Sequence, residues 1–509
     1  MKLNKTKNAT RNVFFGTLMK LYEILVPFIF RTVMVQTIGV QYLGLNSLFI
    51  SVLRVLNLAE LGVGSAMVFS MYRPIAENDV ERVNALMRLY RLYYRVIGLV
   101  ICVVGLAITP FIPKLIHGKV PADMNVYILY LMNLSVTVLS YWLFAYKNSI
   151  LHAYQRTDLI SKVALGAFTF KYVMQFIALV YFRNYYLYVA FRIVSQILNN
   201  IVTAVISHKY YPQYSPKGEL PKSEVRQING RIRDLFTAKL GGTIIHSADT
   251  IVISAFLGLT MLAQFQNYYY ILSSIMAFVT ILNTSVVAGI GNSLITKDRS
   301  ENYREFKAFA FLQYWIIGFC ICCFLVLFQP FMRLWMGEKL MLPYPFVILM
   351  CLVFAGERLV MMMSVYKDAG GIWHEDRFRP LVSGVCNLVI NVIMVQFFGI
   401  YGIVLSTVIS YFLISIPWII KNVFGLIFTD ESRTAFVADL LRWAALITFT
   451  AALNWWVCRF VPLRGVPEIA VKLLISIIIP NALFVLLFRK KEEFRILRDL
   501  AARMIRRRI

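Results

Sequence analysis

Apolar stretches of about 20 residues or more recur along nearly the whole chain, separated by short polar segments rich in charge, Gly and Pro. Each is long enough to cross a hydrocarbon layer of roughly 30 Å as a helix. Set against the turn signals, the runs predict six helices at about 12–38, 42–72, 90–112, 124–146, 157–182 and 185–208. A basic loop follows, then six more helices at about 235–257, 262–295, 307–331, 344–366, 378–398 and 400–424. Two further helices fall near 436–459 and 467–488. The pattern therefore predicts an all-α polytopic membrane protein of about fourteen transmembrane helices. Its parts are an N-terminal lobe (1–208), a linker (209–234), a C-terminal lobe (235–425), an added helix pair (426–488) and a basic tail (489–509).

Composition agrees. Of 509 residues, 59% are hydrophobic and only 15% charged, and the mean hydropathy is +0.68. No soluble fold buries that much apolar side chain, so the bilayer is the solvent. Met1 to Arg11 is polar and basic, but the run after it exceeds a signal-peptide core and no small-residue cleavage site follows, so it is expected to remain as the first helix. All seven cysteines lie inside apolar runs, where they read as small hydrophobes. Cys320 and Cys323 form a lone CxxC with no second ligand pair, so no metal or disulfide is expected.

The net charge of +26 invites a nucleic-acid partner until the basic residues are placed. Most fall in the N-terminus, the even-numbered loops and the tail; the odd-numbered loops hold only Lys114, Lys119, Arg183, Arg333, Lys339, Arg459 and Arg464. This asymmetry is the positive-inside pattern, which puts both termini in the cytoplasm and makes the tail a topology and headgroup anchor. No nucleic-acid partner is expected.

The chain also repeats itself. Residues 94–102 read YRVIGLVIC and residues 314–322 read YWIIGFCIC, and each continues to a Pro-Phe pair, Pro110-Phe111 and Pro330-Phe331. Tyr146-Lys147-Asn148 matches Tyr366-Lys367-Asp368 at the same offset, and Gly39 to Asp79 has the same length as Gly258 to Asp298. The alignment of polar punctuation as well as apolar strings indicates a duplication. An even number of spans per repeat predicts two parallel six-helix lobes related by a pseudo-two-fold along the membrane normal, an arrangement suited to alternating access. The last two helices lie outside the repeat.

Ionisable side chains at bilayer depth are costly and face an interior or a hydrated cavity. Lys20, Glu23, Pro27 and Arg31 are spaced 3, 4 and 4, placing them on one stripe of the first helix. The second helix adds Ser47, Ser51, Arg54, Asn57 and Ser65 on a neighbouring arc, with Glu60 roughly 120° round from Arg54. Lys171, Arg192, Asp249, Glu357 and Arg358 complete the set. Some of these are expected to be structural ion pairs, such as Lys20 with Glu23 or Glu357 with Arg358 or Asp249. As a set, Lys20, Arg31, Arg54, Lys171, Arg192 and Arg358 outnumber Glu23, Glu60, Asp249 and Glu357, and point to a cationic cavity. Arginines there would hold phosphate oxygens bidentately. Pro27 suggests a bend. Tyr268-Tyr269-Tyr270 reads either as an interfacial aromatic belt or as a sugar-stacking surface.

Catalytic motifs are missing. The odd-numbered loops are short, and there is no G-x-x-x-x-G-K-[ST], H-E-x-x-H or G-x-S-x-G. The five histidines are scattered. An enzyme is not expected, nor a cofactor; transport would draw on a proton or sodium gradient, the membrane potential or consumption of product.

The opening RNVFFGTLMKLYEILVPFIFRTVMVQTIGVQYLGLNSLF and the LNLAELGVGSAM of the second helix, set in twelve helices plus two, resemble the oligosaccharide flippase branch of the multidrug/oligosaccharidyl-lipid/polysaccharide (MOP) exporter superfamily. The resemblance implies a bacterial cytoplasmic-membrane protein that moves a polyprenyl-pyrophosphate-linked oligosaccharide to the outer leaflet, for capsule or exopolysaccharide biosynthesis beside glycosyltransferases and a polymerase. It also implies headgroup capture by Arg31 and Arg54, which match cavity arginines of relatives. Lys20 joins them, and Glu23, Glu60 and Asp249 are candidates for proton or cation coupling. Three alternatives stand: a lipid II flippase, a cation-coupled multidrug exporter, and a membrane glycosyltransferase or polymerase. The cation excess disfavours the exporter, and the absence of a catalytic loop disfavours the enzyme.

Overall fold

The structure is a computed structural model that describes residues 5–118 and 120–506, without the side chains of 5–10, 13, 237–239, 246, 430–431 and 500–506. Lys119 and the ends of the two terminal segments named above lie outside the described residues. Helices dominate: α1 (Lys5–Thr37), α2 (Val40–Leu56), α3 (Val63–Ala76), α4 (Val80–Ile108), α5 (Val126–Trp142), α6 (Asn148–Ala153), α7 (Thr157–Val180) and α8 (Tyr185–Tyr210) come first. Then follow α9 (Lys222–Thr296), α10 (Arg299–Met336), α11 (Tyr344–Ala369), α12 (Arg379–Ile409), α13 (Ile416–Leu426), α14 (Asp430–Arg459), α15 (Val466–Phe488) and α16 (Glu492–Arg506). Ten segments are long and apolar enough to cross a membrane, or eleven counting the bent pair Val126–Trp142 and Ala145–Ala153. Gly258 (φ 85°) divides α9 and Gly399 (φ 55°) divides α12. With those divisions and with α1, each of the fourteen predicted helices has a counterpart.

The chain forms two compact units, Met1–Ala263 and Gln264–Ile509. The division falls inside α9 rather than in the 209–234 loop, so the seventh predicted helix groups with the first six. Close backbone contact explains this. A Cβ on Gly44 would lie 2.1 Å from the Leu259 carbonyl oxygen, and the His117 amide donates to the Ser254 carbonyl at 2.9 Å. Only glycine lets α2 approach that near. Within the first unit, helices are joined through polar groups set in apolar faces: Ser195 Oγ of α8 donates to the Ala167 carbonyl of α7 at 2.9 Å, and Tyr130 of α5 donates to the Gly105 carbonyl of α4 at 3.1 Å. In lipid, such bonds and close van der Waals fit replace the hydrophobic drive between helices.

In the second unit α10 is the centre. α14 and α15 lie on it through Gly318, where a Cβ would sit 2.9 Å from Phe484 and 3.0 Å from Ile447. Trp315 donates to Asn481 at 2.7 Å, and Asn454 donates to the Cys322 carbonyl at 3.2 Å. The helix pair outside the repeat thus covers one face of the ninth predicted helix. The tail is a helix: α16 is tied to α10 by Arg304–Glu492 at 2.9 Å and by stacking of Phe494 on Trp315. All seven cysteines are free, and buried or partly buried.

The duplication reaches backbone detail. Gly39 (φ 115°) and Gly258 (φ 85°) each open the second helix of their repeat. Asp79 caps α4 by accepting from the Arg82 amide, and Asp298 caps α10 by accepting from the Glu301 amide. A buried clasp closes the fourth-to-fifth helix turn of each repeat with its charges exchanged. Asp158, fully buried, holds Arg156 at 2.8 Å, Lys162 at 3.6 Å and Arg11 of α1 at 3.8 Å. Its counterpart pairs Arg379 with both oxygens of Asp376 at 2.7 Å.

Symmetry fails in two places. The second predicted helix is not continuous: α2 ends at Leu56, a 3₁₀ turn spans Asn57–Glu60, and Gly62 (φ 92°) restarts the chain as α3. The fourth breaks as well, at Phe144 (φ 55°). The equivalent stretches of α9 and α11 run unbroken.

Candidate substrate and coupling site

The α1 stripe lies against α7. Tyr22 hydrogen-bonds Thr169 at 3.0 Å, and the Phe30 ring lies 4.8 Å from that of Tyr172. This packing delivers the charges. Lys171 Nζ sits 4.0 Å from the centre of the Tyr172 ring and 4.3 Å from that of Phe168, so its ammonium is held over aromatic faces rather than against a carboxylate. Glu23 and Arg192 both act electrostatically on Lys171, and Arg31 and Arg192 both act on Tyr188. Arg192 of α8 donates to Asn133 of α5 at 3.2 Å. Glu23, Arg31, Lys171 and Arg192, drawn from three helices, thus share one region of the first unit. Lys20 joins through Glu23 at 3.4 Å, on an exposed edge. The cations of this region outnumber Glu23, so it favours anions.

Glu60 belongs to a second group. Because the chain breaks at Asn57–Glu60, Glu60 leaves the helical arc that continuity would give it. Tyr94 of α4 donates to Glu60 Oε1 at 3.4 Å, and Tyr90 donates to Tyr94 at 2.6 Å. Tyr141 of α5, next to the break at Phe144, donates to Asn57 at 3.3 Å. A carboxylate therefore meets two broken helices and three tyrosines. Arg54 projects, exposed, from the last turn of α2 and forms no ion pair among the described residues. Asp249 is partly buried on α9.

Arg358 is a different case. It is only 2% exposed, donates to Glu357 at 2.6 Å, and binds the Met276 carbonyl and Thr280 hydroxyl at 3.1 and 3.0 Å. The Glu357–Arg358 pair expected as structural is present, and it ties α11 to α9. Its guanidinium is largely occupied by the protein. Tyr268 is fully buried, donates to Gln329 at 3.0 Å and accepts from the Leu342 amide at 3.0 Å. It is a core contact, neither belt nor sugar platform.

Neutral groups escape a reading based on charge. Asn133 positions Arg192. Tyr90, Tyr94 and Tyr141 surround Glu60. Across the Gly399 break within α12 a buried network links Asn387 to Ser406 and Thr407 at 3.3 and 3.1 Å, and Asn391 to Ser406 at 2.5 Å. It adjoins a π-helical segment, Ser410–Ser415. Asparagines one turn apart in an otherwise apolar run were the available signal. Among the described residues no group of three or more His, Cys, Asp and Glu side chains could hold a metal.

No protein-family model matches the chain, and no curated protein matches it in sequence. Solved structures do match in fold. The lipid II flippase MurJ in an inward closed conformation superposes with a TM-score of 0.68 at 13% identity, over 94% of this chain and 99% of that one. A multidrug resistance MATE family transporter of the MOP superfamily, inward-facing, gives 0.60 at 14% identity over 83% and 98%. The Vibrio cholerae MATE transporter VcmN gives 0.53 at 14% identity over 85% and 98%. The chain is a polytopic membrane protein with the fold these flippases and exporters of the MOP superfamily share.

Proposed function

We propose that the protein is a flippase that moves a polyprenyl-pyrophosphate-linked oligosaccharide across the bacterial cytoplasmic membrane by alternating access. The observation that carries this reading is that Arg31, Lys171 and Arg192, from three packed helices, lie in one region of the first unit, with Lys171 held over the rings of Phe168 and Tyr172. A pyrophosphate is the anion such a group suits: guanidinium forks match its oxygens, and a low dielectric strengthens each contact. Arg54 and Lys20 extend the positive surface. Arg358 is assigned a structural role, while Glu23, Glu60 and Asp249 remain the coupling candidates for H+ or Na+. A cationic drug would be repelled here, which weighs against the exporter reading. Lipid II is the second reading, favoured by the likeness to MurJ over nearly the whole chain and carrying the same pyrophosphate chemistry. We place both termini in the cytoplasm, with glycosyltransferases and a polymerase as partners in the pathway.

The test is the Arg31→Ala/Arg54→Ala double variant in the native strain. Surface polysaccharide should be lost and lipid-linked precursor should accumulate in the inner leaflet. Normal export at wild-type membrane levels overturns the headgroup role. Loss of viability with intact polysaccharide reassigns the substrate to lipid II.

A further inference from the structure

The duplication pairs residues 94–102 of α4 with 314–322 of α10, so Arg91 corresponds to Phe311 and Arg95 to Trp315. On α10 that face is covered. Phe311 packs on Trp443 and Phe488, and Trp315 binds Asn481 and stacks on Phe494, so α14, α15 and α16 all lie on it. On α4 this face is covered less: Trp142 of α5 lies on Gly98 and the start of α9 reaches the helix end through Tyr93 and Asn229, while Arg91 is half-buried and Arg95 exposed. Leu92, Val96, Leu99 and Val103 on this helix are between 50% and 59% exposed, and a purely aliphatic exposed stripe of this kind faces lipid tails rather than a hydrated path. At its basic-loop end sits a cavity of about 380 Å³ lined by Arg88, Leu89, Arg91, Leu92 and Arg95 of α4 and by the 218–220 stretch of the linker.

We propose that this cavity binds the phosphate of an anionic membrane glycerophospholipid, with an acyl chain lying along the exposed stripe of α4. Arg91 and Arg95 form no ion pair among the described residues. One acid, Glu219, lines the cavity, and Arg88 holds it at 3.1 Å on the exposed rim while also donating to the Gly218 carbonyl at 3.0 Å. Two unneutralised guanidiniums beside aliphatic groups suit a ligand that is a phosphate at one end and hydrocarbon at the other. The level in the membrane agrees. Trp142, exposed at the end of α5, donates its indole N–H to the Arg95 carbonyl at 3.1 Å, and exposed tryptophans settle at the membrane interface. The opposite side of α4 carries Tyr90 and Tyr94, which reach Glu60, so a lipid held at Arg91 and Arg95 leans on the helix that frames the coupling candidate. The repeat supplies the reason for the substitution: where α10 spends this face on aromatic packing against added helices, α4 spends it on cations beside lipid.

The full chain is purified and exchanged into nanodiscs of phosphatidylcholine with a minor fraction of phosphatidylglycerol, and the co-released lipid is measured by native mass spectrometry. Wild type should retain phosphatidylglycerol over phosphatidylcholine by on the order of thirtyfold, the combined effect of two interfacial arginines. Arg91→Gln/Arg95→Gln should lose the preference while eluting as wild type on size exclusion, and Arg91→Lys/Arg95→Lys should keep part of it. Lys490→Gln/Lys491→Gln, at the other basic end, should retain it in full. Unchanged retention by the Gln pair overturns the proposal, as does an equal loss in the Lys490/Lys491 variant, which would reduce the effect to general attraction. Displacement of phosphatidylglycerol by equimolar polyprenyl pyrophosphate also overturns it, giving the groove to the transported substrate. So does cross-linking of Leu92→Cys between copies, which gives the face to a second chain. No arm depends on transport, so the result stands apart from the proposed function.

Discussion

Asp158 shows how much of this protein's order rests on single charges placed where water is scarce. Its carboxylate is fully buried and faces Arg156, Lys162 and Arg11, while its own amide is accepted by Asn12 Oδ1 at 2.9 Å. Removing the anion leaves Arg156, itself only 15% exposed, without its carboxylate. Breaking a buried pair costs about 3–5 kcal/mol, far above a surface pair. Asp158→Ala is therefore expected to lower thermal stability in detergent by several degrees and to loosen α1. The surface change Arg73→Ala, which breaks a pair at 2.8 Å between exposed side chains, should be silent; equal melting of the two variants would dismiss the clasp. Lys171 follows a different rule: held over two rings rather than paired, it keeps its charge available to an anion.

Among the elements, the informative positions are those where helices stop or nearly touch. Gly44 and Gly258 bring α2, α9 and the His117 loop together, Gly258 lying so close that a Cβ would meet the His117 carbonyl oxygen at 2.8 Å. Gly44→Val cannot be accommodated without parting α2 from α9. Ser254, fully buried beneath this contact, supplies the reporter. In a background stripped of native cysteines, Ser254→Cys should react slowly with an impermeant maleimide, and adding Gly44→Val should raise labelling severalfold. No change in labelling would mean that the contact does not seal this end. The breaks at Asn57–Glu60 and Phe144 belong to the same scale. Gly62 takes the left-handed region freely, whereas the left-handed Phe144 costs backbone energy, and both breaks adjoin Glu60 and its tyrosines.

Over the whole molecule, two copies of one design have been spent differently. The first unit keeps its broken helices, its half-buried Arg31, Lys171 and Arg192, and an α4 with an exposed aliphatic stripe. The second has continuous counterparts of those two helices, an Arg358 held by Glu357, Met276 and Thr280, and a coat formed by α14, α15 and α16. Ending the chain before Glu492 should uncover Trp315 and remove the partners of Arg304 and Lys307. The pairs are exposed and worth little, so a stability loss of about 1 kcal/mol, mainly from the Trp315–Phe494 stack, is expected. Full unfolding on truncation would show instead that α16 is integral to the second unit.

Helix number, the duplication and its register were legible along the chain, because a membrane helix needs only length and apolarity and a repeat needs only matching punctuation. Candidate charges were legible for the same reason: in lipid an ionisable side chain stands out whatever surrounds it. Sorting them was not possible along the chain. Lys171, Arg192 and Arg358 look alike in sequence, yet one lies over aromatic rings, one on an asparagine and one buried against Glu357, Met276 and Thr280. Those fates depend on neutral partners supplied by other helices, and neutral residues carry no periodic signal. The broken second helix was likewise hidden, since Asn57 to Gly62 continues an acceptable helical pattern until α4 and α5 provide tyrosines for the groups the break releases. Sequence alone determined what the bilayer demands, which is how many helices cross it and where charge is costly. Tertiary structure decided which costly charges are compensated from within, because compensation is a matter of distance between helices that are remote along the chain.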